Sequence, residues 1–240
     1  MLSPAEWAIV VLSLKVSLVA VAGALPLAFA LAWVLARRPA GPLVLMLDAV
    51  AHLPLVLPPV VTGWLLLLAF GANAPLGRVL AMGGMSVMFR WSGAALAGAV
   101  MAVPLMVRSI RIALEAVDPR LEAAARVLGA GRWYCFRTIT LPLAMPGVLA
   151  ALVLGFARAL GEFGATITFV ASIPGETETL PLAIYAALQL PGGEAMVTRL
   201  ALLSVALALA ALVASEWLAR RVGAGWWGAG RAGQRGAHVL

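Results

Sequence analysis

The chain reads as an all-α polytopic membrane protein, on three observations. Of its 240 residues 63% are hydrophobic and only 11% are charged, too little polar surface to cover a water-soluble globule of this size. Its apolar residues gather in runs that match the length of helix needed to cross a hydrocarbon core, about 20 residues. Its arginines concentrate in alternate connections between those runs.

Taken in order, the predicted spans are about 14–35, 55–71, 91–107, 143–161 and 199–218. The fourth is the weakest, because Arg158 lies near its end. Two shorter apolar stretches, Phe163 to Ile173 and Leu180 to Leu190, have the length of re-entrant or interfacial segments. Glu176 and Glu178 lie between them. Fusing the two into one span buries both carboxylates, which costs on the order of a few kcal/mol each. Residues 162–195 therefore read as extramembrane or partly re-entrant. About five spans result, and a sixth hidden in 162–195 is the rival topology.

Charge orients the chain. Arg37 and Arg38 follow the first span, Arg108, Arg111, Arg120, Arg126, Arg132 and Arg137 follow the third, and Arg220, Arg221, Arg231 and Arg235 follow the last. The alternate connections hold Arg78, Arg90 and Arg199 with Glu162, Glu176, Glu178 and Glu194. By the positive-inside rule the arginine-rich loops are cytoplasmic, so the N-terminus lies outside and the C-terminus inside. The net charge of +7 then belongs to orientation and to anionic membrane lipid, with no call for nucleic acid. Ala28-Phe29-Ala30 has the form of a signal cleavage site, but the apolar run continues to Ala36, and a retained first helix is expected. Residues 222–240 are rich in glycine and read as a flexible cytoplasmic tail, with Trp226 and Trp227 at the interface.

Enzyme chemistry is not expected. The single lysine, Lys15, has no phosphate-binding glycines before it, so no ATP site is expected in this chain. His52 and His238 are far apart, Cys135 is alone, and no G-x-S-x-G elbow occurs, which leaves no metal, cofactor or nucleophile constellation. His52 beside Asp48 reads as a polar pair near the membrane surface, and Cys135 as a small apolar residue on a helix. The spans carry small residues at intervals of four, Ala94, Gly98 and Ala102 in one and Gly147, Ala151 and Gly155 in another, the spacing of closely packed helices. Pro54, Pro58, Pro59, Pro104 and Pro146 are expected to kink or end helices.

One loop, about 108–142, is more ordered than a connection requires. Asp118-Pro119 is a strong helix start. Leu121, Ala124, Ala125 and Leu128 then follow at i, i+3, i+4 and i+7, an apolar stripe. Glu122 and Arg126 are spaced to pair on another face, and Gly129 is a helix stop. Trp133 and Phe136 make a second small apolar face, and Pro142 is expected to open the next span.

This loop resembles the E-A-A loop of ABC importer permeases, E-A-A, three residues, G, nine residues, I-x-L-P. Gly129, Ile139, Leu141 and Pro142 match in spacing, while Ala123-Ala124-Ala125 stand where the triplet is expected and Glu122 precedes it by one. The resemblance implies a coupling helix seated in a groove of a separate ATPase, with Leu121, Glu122, Ala123, Ala124, Ala125, Leu128, Gly129, Ile139, Leu141 and Pro142 as the coupling residues. It implies the fold of a type I ABC importer transmembrane domain over residues 10–221.

A second resemblance, to molybdate permease subunits, rests on the run Arg158-Ala-Leu-Gly-Glu-Phe-Gly-Ala-Thr-Ile-Thr-Phe, on Ile173-Pro-Gly-Glu-Thr, Leu180-Pro and Tyr185, on Pro191-Gly-Gly-Glu194, and on Ser215-Glu-Trp-Leu-Ala-Arg220. It implies import of molybdate, or the closely similar tungstate, across the bacterial inner membrane by alternating access. The partners implied are a second copy of the chain, a cytoplasmic ATPase dimer carrying ATP and Mg, and a periplasmic or extracellular molybdate-binding protein. A sulfate, thiosulfate or other oxyanion permease is the alternative. A secondary transporter is disfavoured, since no internal repeat is evident and the charges cluster at span ends. Arg158, Glu162, Thr166, Thr168 and Ser172 are candidate pathway or gate residues, with an Arg158–Glu162 structural pair preferred to an anion seat.

Overall fold

A computed structural model describes residues 2–84 and 86–234, without the side chains of residues 215, 216 and 218–234. The described chain is helical throughout: α1 Pro4–Arg37, α2 Pro42–Val56, α3 Pro59–Phe70, α4 Pro75–Met82, α5 Trp91–Glu115, α6 Pro119–Val127, α7 Arg132–Cys135, a π turn Phe136–Thr140, α8 Leu141–Leu160, α9 Gly164–Val170, α10 Leu180–Leu188 and α11 Glu194–Gln234.

Helix α1 begins ten residues before the predicted span. Ser3 and Glu6 form a reciprocal cap, the Ser3 hydroxyl accepting from the Glu6 amide at 3.2 Å and Glu6 accepting from the Ser3 amide at 2.7 Å. The polar residues of its N-terminal half all find partners. Ser13 and Ser17 donate to the carbonyls of Ile9 and Ser13 at 2.7 Å each. Glu6 takes Arg199 of α11 at 2.7 Å, and the Lys15 ammonium lies 3.7 Å from the Trp91 ring centroid.

The predicted span 55–71 is corrected. Its residues straddle a break between α2 and α3, whose axes bend by 115°. Pro58 and Pro59 supply no amide donors, and Leu57 before them is forced into extended backbone, ψ 142°. Among the described residues four helical segments are long and apolar enough to cross a membrane: α1, α5, Arg132–Leu160 and Glu194–Ala214. The bent pair α2–α3 makes a fifth if it counts as one span. The sixth does not appear, since α9 and α10 have only 7 and 9 residues.

Pro142 stands in the first turn of α8, where it was expected to open a span, but no break precedes it, because helix runs unbroken from Arg132 to Leu160. The π turn explains how. The Leu141 amide reaches back to the Phe136 carbonyl, one residue further than in an α-helix. The ladder has already changed register where the proline enters.

The core lies where α1, α5 and α8 cross. Ala24, Ala28 and Ala32 of α1 meet Ala102, Met106, Val107 and Ile110 of α5 and Ala144, Val148 and Ala151 of α8. The small-residue stripes make this approach possible. A Cβ on Gly147 would stand 2.2 Å from the Ala113 Cβ, and one on Gly155 would stand 2.8 Å from the Met106 Sδ. Ser109 closes the first crossing by donating to the Gly147 carbonyl at 3.0 Å. Helix α11 takes in most of the 222–240 stretch read as a flexible tail, and the side chains of Trp226 and Trp227 lie outside the described residues.

Candidate functional site

The predicted loop helix forms as α6. Asp118 accepts from the Arg120 amide at 2.9 Å and Pro119 fills the first turn. At the other end the Ala130 amide bonds the Ala125 carbonyl and the Gly129 amide bonds the Arg126 carbonyl, both at 3.0 Å. This is a Schellman stop, and it requires the left-handed backbone that Gly129 adopts at φ +86°.

The apolar stripe is uncovered. Leu121 is 48% exposed and Leu128 87%. Ala123 and Ala124 are exposed and Ala125 is half-buried. Trp133, expected on a second small apolar face, is exposed, and so are Val127 and Tyr134, which the spacing did not single out. Beyond the turn Gly129 is exposed, while Ile139, Leu141 and Pro142 are half-buried.

Glu122 faces the opposite way, and it is the only buried residue of α6, 8% exposed. Its Oε1 accepts from Arg37 Nη2 and from the Thr140 hydroxyl, both at 2.6 Å. Its Oε2 accepts from Arg126 Nη2 at 3.2 Å. The expected Glu122–Arg126 pair is therefore present, joined by two partners that the sequence reading missed. Arg37 appeared there only as an orientation signal, and Thr140 not at all. Aromatic rings extend the same junction. Phe136 packs edge-on against Trp33 at 5.2 Å and stacks on Trp133 at 5.3 Å, and the Arg37 guanidinium lies 5.2 Å from the Trp33 centroid.

Burial alone would raise the Glu122 pKa, but the Thr140 hydroxyl, Arg37 and Arg126 outweigh it and hold the carboxyl below its ordinary range. A depressed pKa gives stability that is complete above the unfolded value and lost as pH falls through the folded one. The difference in thermal stability between wild type and E122Q is thus expected to stay constant from about pH 8 to 5.5. It should shrink only below the ordinary carboxylate pKa, about 4.3. Thermal melts in detergent across that range check this, and a difference that already closes near neutrality would contradict it.

The second candidate group stands at the far end of α8, about 30 Å from Thr140 along a 20-residue helix. Arg158 Nη1 meets Glu162 Oε2 at 2.6 Å, and Glu162 is 3% exposed. The other oxygen of Glu162 accepts from the Ala165 amide at 2.8 Å and so caps α9. Thr166 is buried, the Thr168 hydroxyl donates to the Gly164 carbonyl at 2.8 Å, and Ser172 is half-buried beyond Ala171. Arg158 and Glu162 thus form a closed ion pair that caps α9, the helix that carries Thr166 and Thr168. Elsewhere, the expected His52–Asp48 pair forms at 3.2 Å and is joined by Arg111 at 3.4 Å. Cys135 is buried on α7. No group of three or more metal-ligating side chains occurs among the described residues.

Residues 24–224 match the family described as Binding-protein-dependent transport system inner membrane component. The chain is 56% identical over 220 residues to the molybdenum transport system permease protein ModB of Escherichia coli (strain K12), spanning 91% of this chain and 96% of that protein. It is 54% identical over 212 residues to the protein of the same name from Haemophilus influenzae, spanning 88% and 92%. Among solved structures, an inward-facing MetNI methionine ABC transporter superposes with a TM-score of 0.73 over 92% of this chain and 99% of that one. The identity there is 19%, so this last likeness concerns the fold alone.

Proposed function

The chain belongs to the family of binding-protein-dependent transport system inner membrane components, and from that premise we propose that it is the permease subunit of an ATP-driven importer of molybdate or tungstate. It is a multi-pass protein of the bacterial inner membrane. ATP is hydrolysed, with Mg, on a separate subunit. The observation that carries this reading is the extent of the likeness to a molybdenum permease, 56% identity over 91% of the chain.

Two copies of the chain line the pathway, and two ATPase subunits engage α6 and the turn after it through Leu121, Ala124 and Leu128. A molybdate-binding protein delivers the anion on the opposite side. In this reading the arginine-rich end of the bundle faces the cytoplasm, the N-terminus lies outside, and residues 222–240 form a cytoplasmic tail beyond the 10–221 transmembrane domain. Arg158 and Glu162 act as a structural clasp holding α9 against α8, with Thr166, Thr168 and Ser172 beside the gate. Selectivity resides in the binding protein, because a permease that held the dianion tightly would be slow to release it.

The deciding experiment is uptake of labelled molybdate into vesicles carrying the chain with its cognate ATPase and binding protein. ATP-dependent uptake competed by tungstate and not by sulfate is expected. Sulfate transport without molybdate uptake would overturn the assignment.

A further inference from the structure

We propose that Glu122 is a positioning residue that carries the ATPase stroke into the membrane bundle, by clasping α6 to Arg37 at the end of α1 and to Thr140 at the π turn before α8. The proposal rests on the coupling role given to α6 above and deepens it.

Helix α6 has one buried side chain, and its apolar residues point away from the bundle. Force on α6 leaves either through its chain ends or through that side chain. The N-terminal end leads through Ala116–Asp118 to α5 and the C-terminal end through the Gly129–Gly131 turn to α7, and neither reaches α1. The side chain reaches it directly. A single oxygen, Oε1, takes Arg37 and Thr140 at 2.6 Å each, so α1 and the foot of α8 are held by the same atom. Bonds to an ionised carboxylate are roughly twice as strong as neutral ones. The cation is committed as well. Arg37 Nε is buried and already without a partner, so removing the carboxylate strands a half-buried guanidinium.

The one-residue displacement from the E-A-A pattern takes on a meaning here. Successive residues of an α-helix are turned by about 100°. Moving the carboxylate from position 123 to 122 turns it away from the exposed face and into the bundle. Ala123 is left on the outer surface. The ATPase therefore meets an apolar helix, and the acid works inside the permease.

The test uses the full complex of permease, ATPase and binding protein in proteoliposomes, reading ATPase co-purification and molybdate moved per ATP hydrolysed. E122Q and R37Q are each expected to keep the ATPase bound and hydrolysing while molybdate moved per ATP falls by about tenfold, the middle of the range for coupling between sites. The double variant should be no worse than either single one, and E122D should recover part of the yield. Wild-type yield in E122Q would overturn the proposal. So would loss of ATPase from E122Q with retention in R37Q, which would place the carboxylate on the partner. Should E122Q fail to reach the membrane, R37Q alone decides, since unchanged yield or a lost ATPase each counts against the clasp. A wild-type complex that moves no molybdate would instead sink the functional reading and is seen separately.

Discussion

Replacing Leu121 and Leu128 together by aspartate is expected to strip the ATPase from the complex while the membrane bundle stays folded. Both side chains stand out from α6, at 48% and 87% exposure, and neither belongs to the core. Burying a leucine contributes about 1.5–3 kcal/mol. Losing two of them weakens association by at least a hundredfold, since each 1.4 kcal/mol is about tenfold. Two carboxylates then have to be desolvated in the partner's groove, which adds to the loss. Co-purification from detergent reads the association, and the thermal melt of the isolated permease reads the fold. Deleting Leu121 to Gly129 should have the same effect on association. An ATPase that stays bound at full stoichiometry would refute the docking face.

Gly147→Val is expected to do the reverse, breaking the bundle itself. Its Cβ would stand 2.2 Å from the Ala113 Cβ and 3.1 Å from the Ser109 carbonyl oxygen. The helices must separate, and the Ser109–Gly147 hydrogen bond goes with the contact. Overpacking costs about 1–3 kcal/mol. Gly23→Ala is the built-in contrast, because nothing lies within 4 Å of its new methyl. It is expected to raise stability by about 0.5–1 kcal/mol through helix propensity. In Gly147→Ala the clash should be largely relieved by a second change, Ala113→Gly. Equal melting shifts at positions 147 and 23 would contradict the argument.

Much of this was legible in the residues because it depended on local chemistry. Asp118-Pro119 and Gly129 bounded α6 correctly, since caps and left-handed stops act within one turn of helix. The Arg158–Glu162 and Glu122–Arg126 pairs followed from helical spacing. The break at Leu57 was harder to see, because the apolar run continues straight through it and only the proline pair marks the corner. Helix α1 was drawn short for the opposite reason. Glu6 and Ser13 lie outside the predicted span, and their partners, Arg199 and the Leu180 amide, come from distant segments. The partners of Glu122 were hidden in the same way. Arg37 lies 85 positions away, and no periodicity in a single sequence links residues so far apart.

The π turn has a mechanical consequence. By removing the break at Pro142 it leaves a single rod of 29 residues, Arg132–Leu160, about 44 Å long at 1.5 Å per residue. Gly147 falls close to the rod's midpoint, and there its backbone touches α5 with no side chain between them. Gly155, about two turns further on, also seats closely against Met106, so the rod is held to α5 at two points rather than hinged at one. Displacing its Trp133–Phe136 end without displacing α5 therefore breaks both seats.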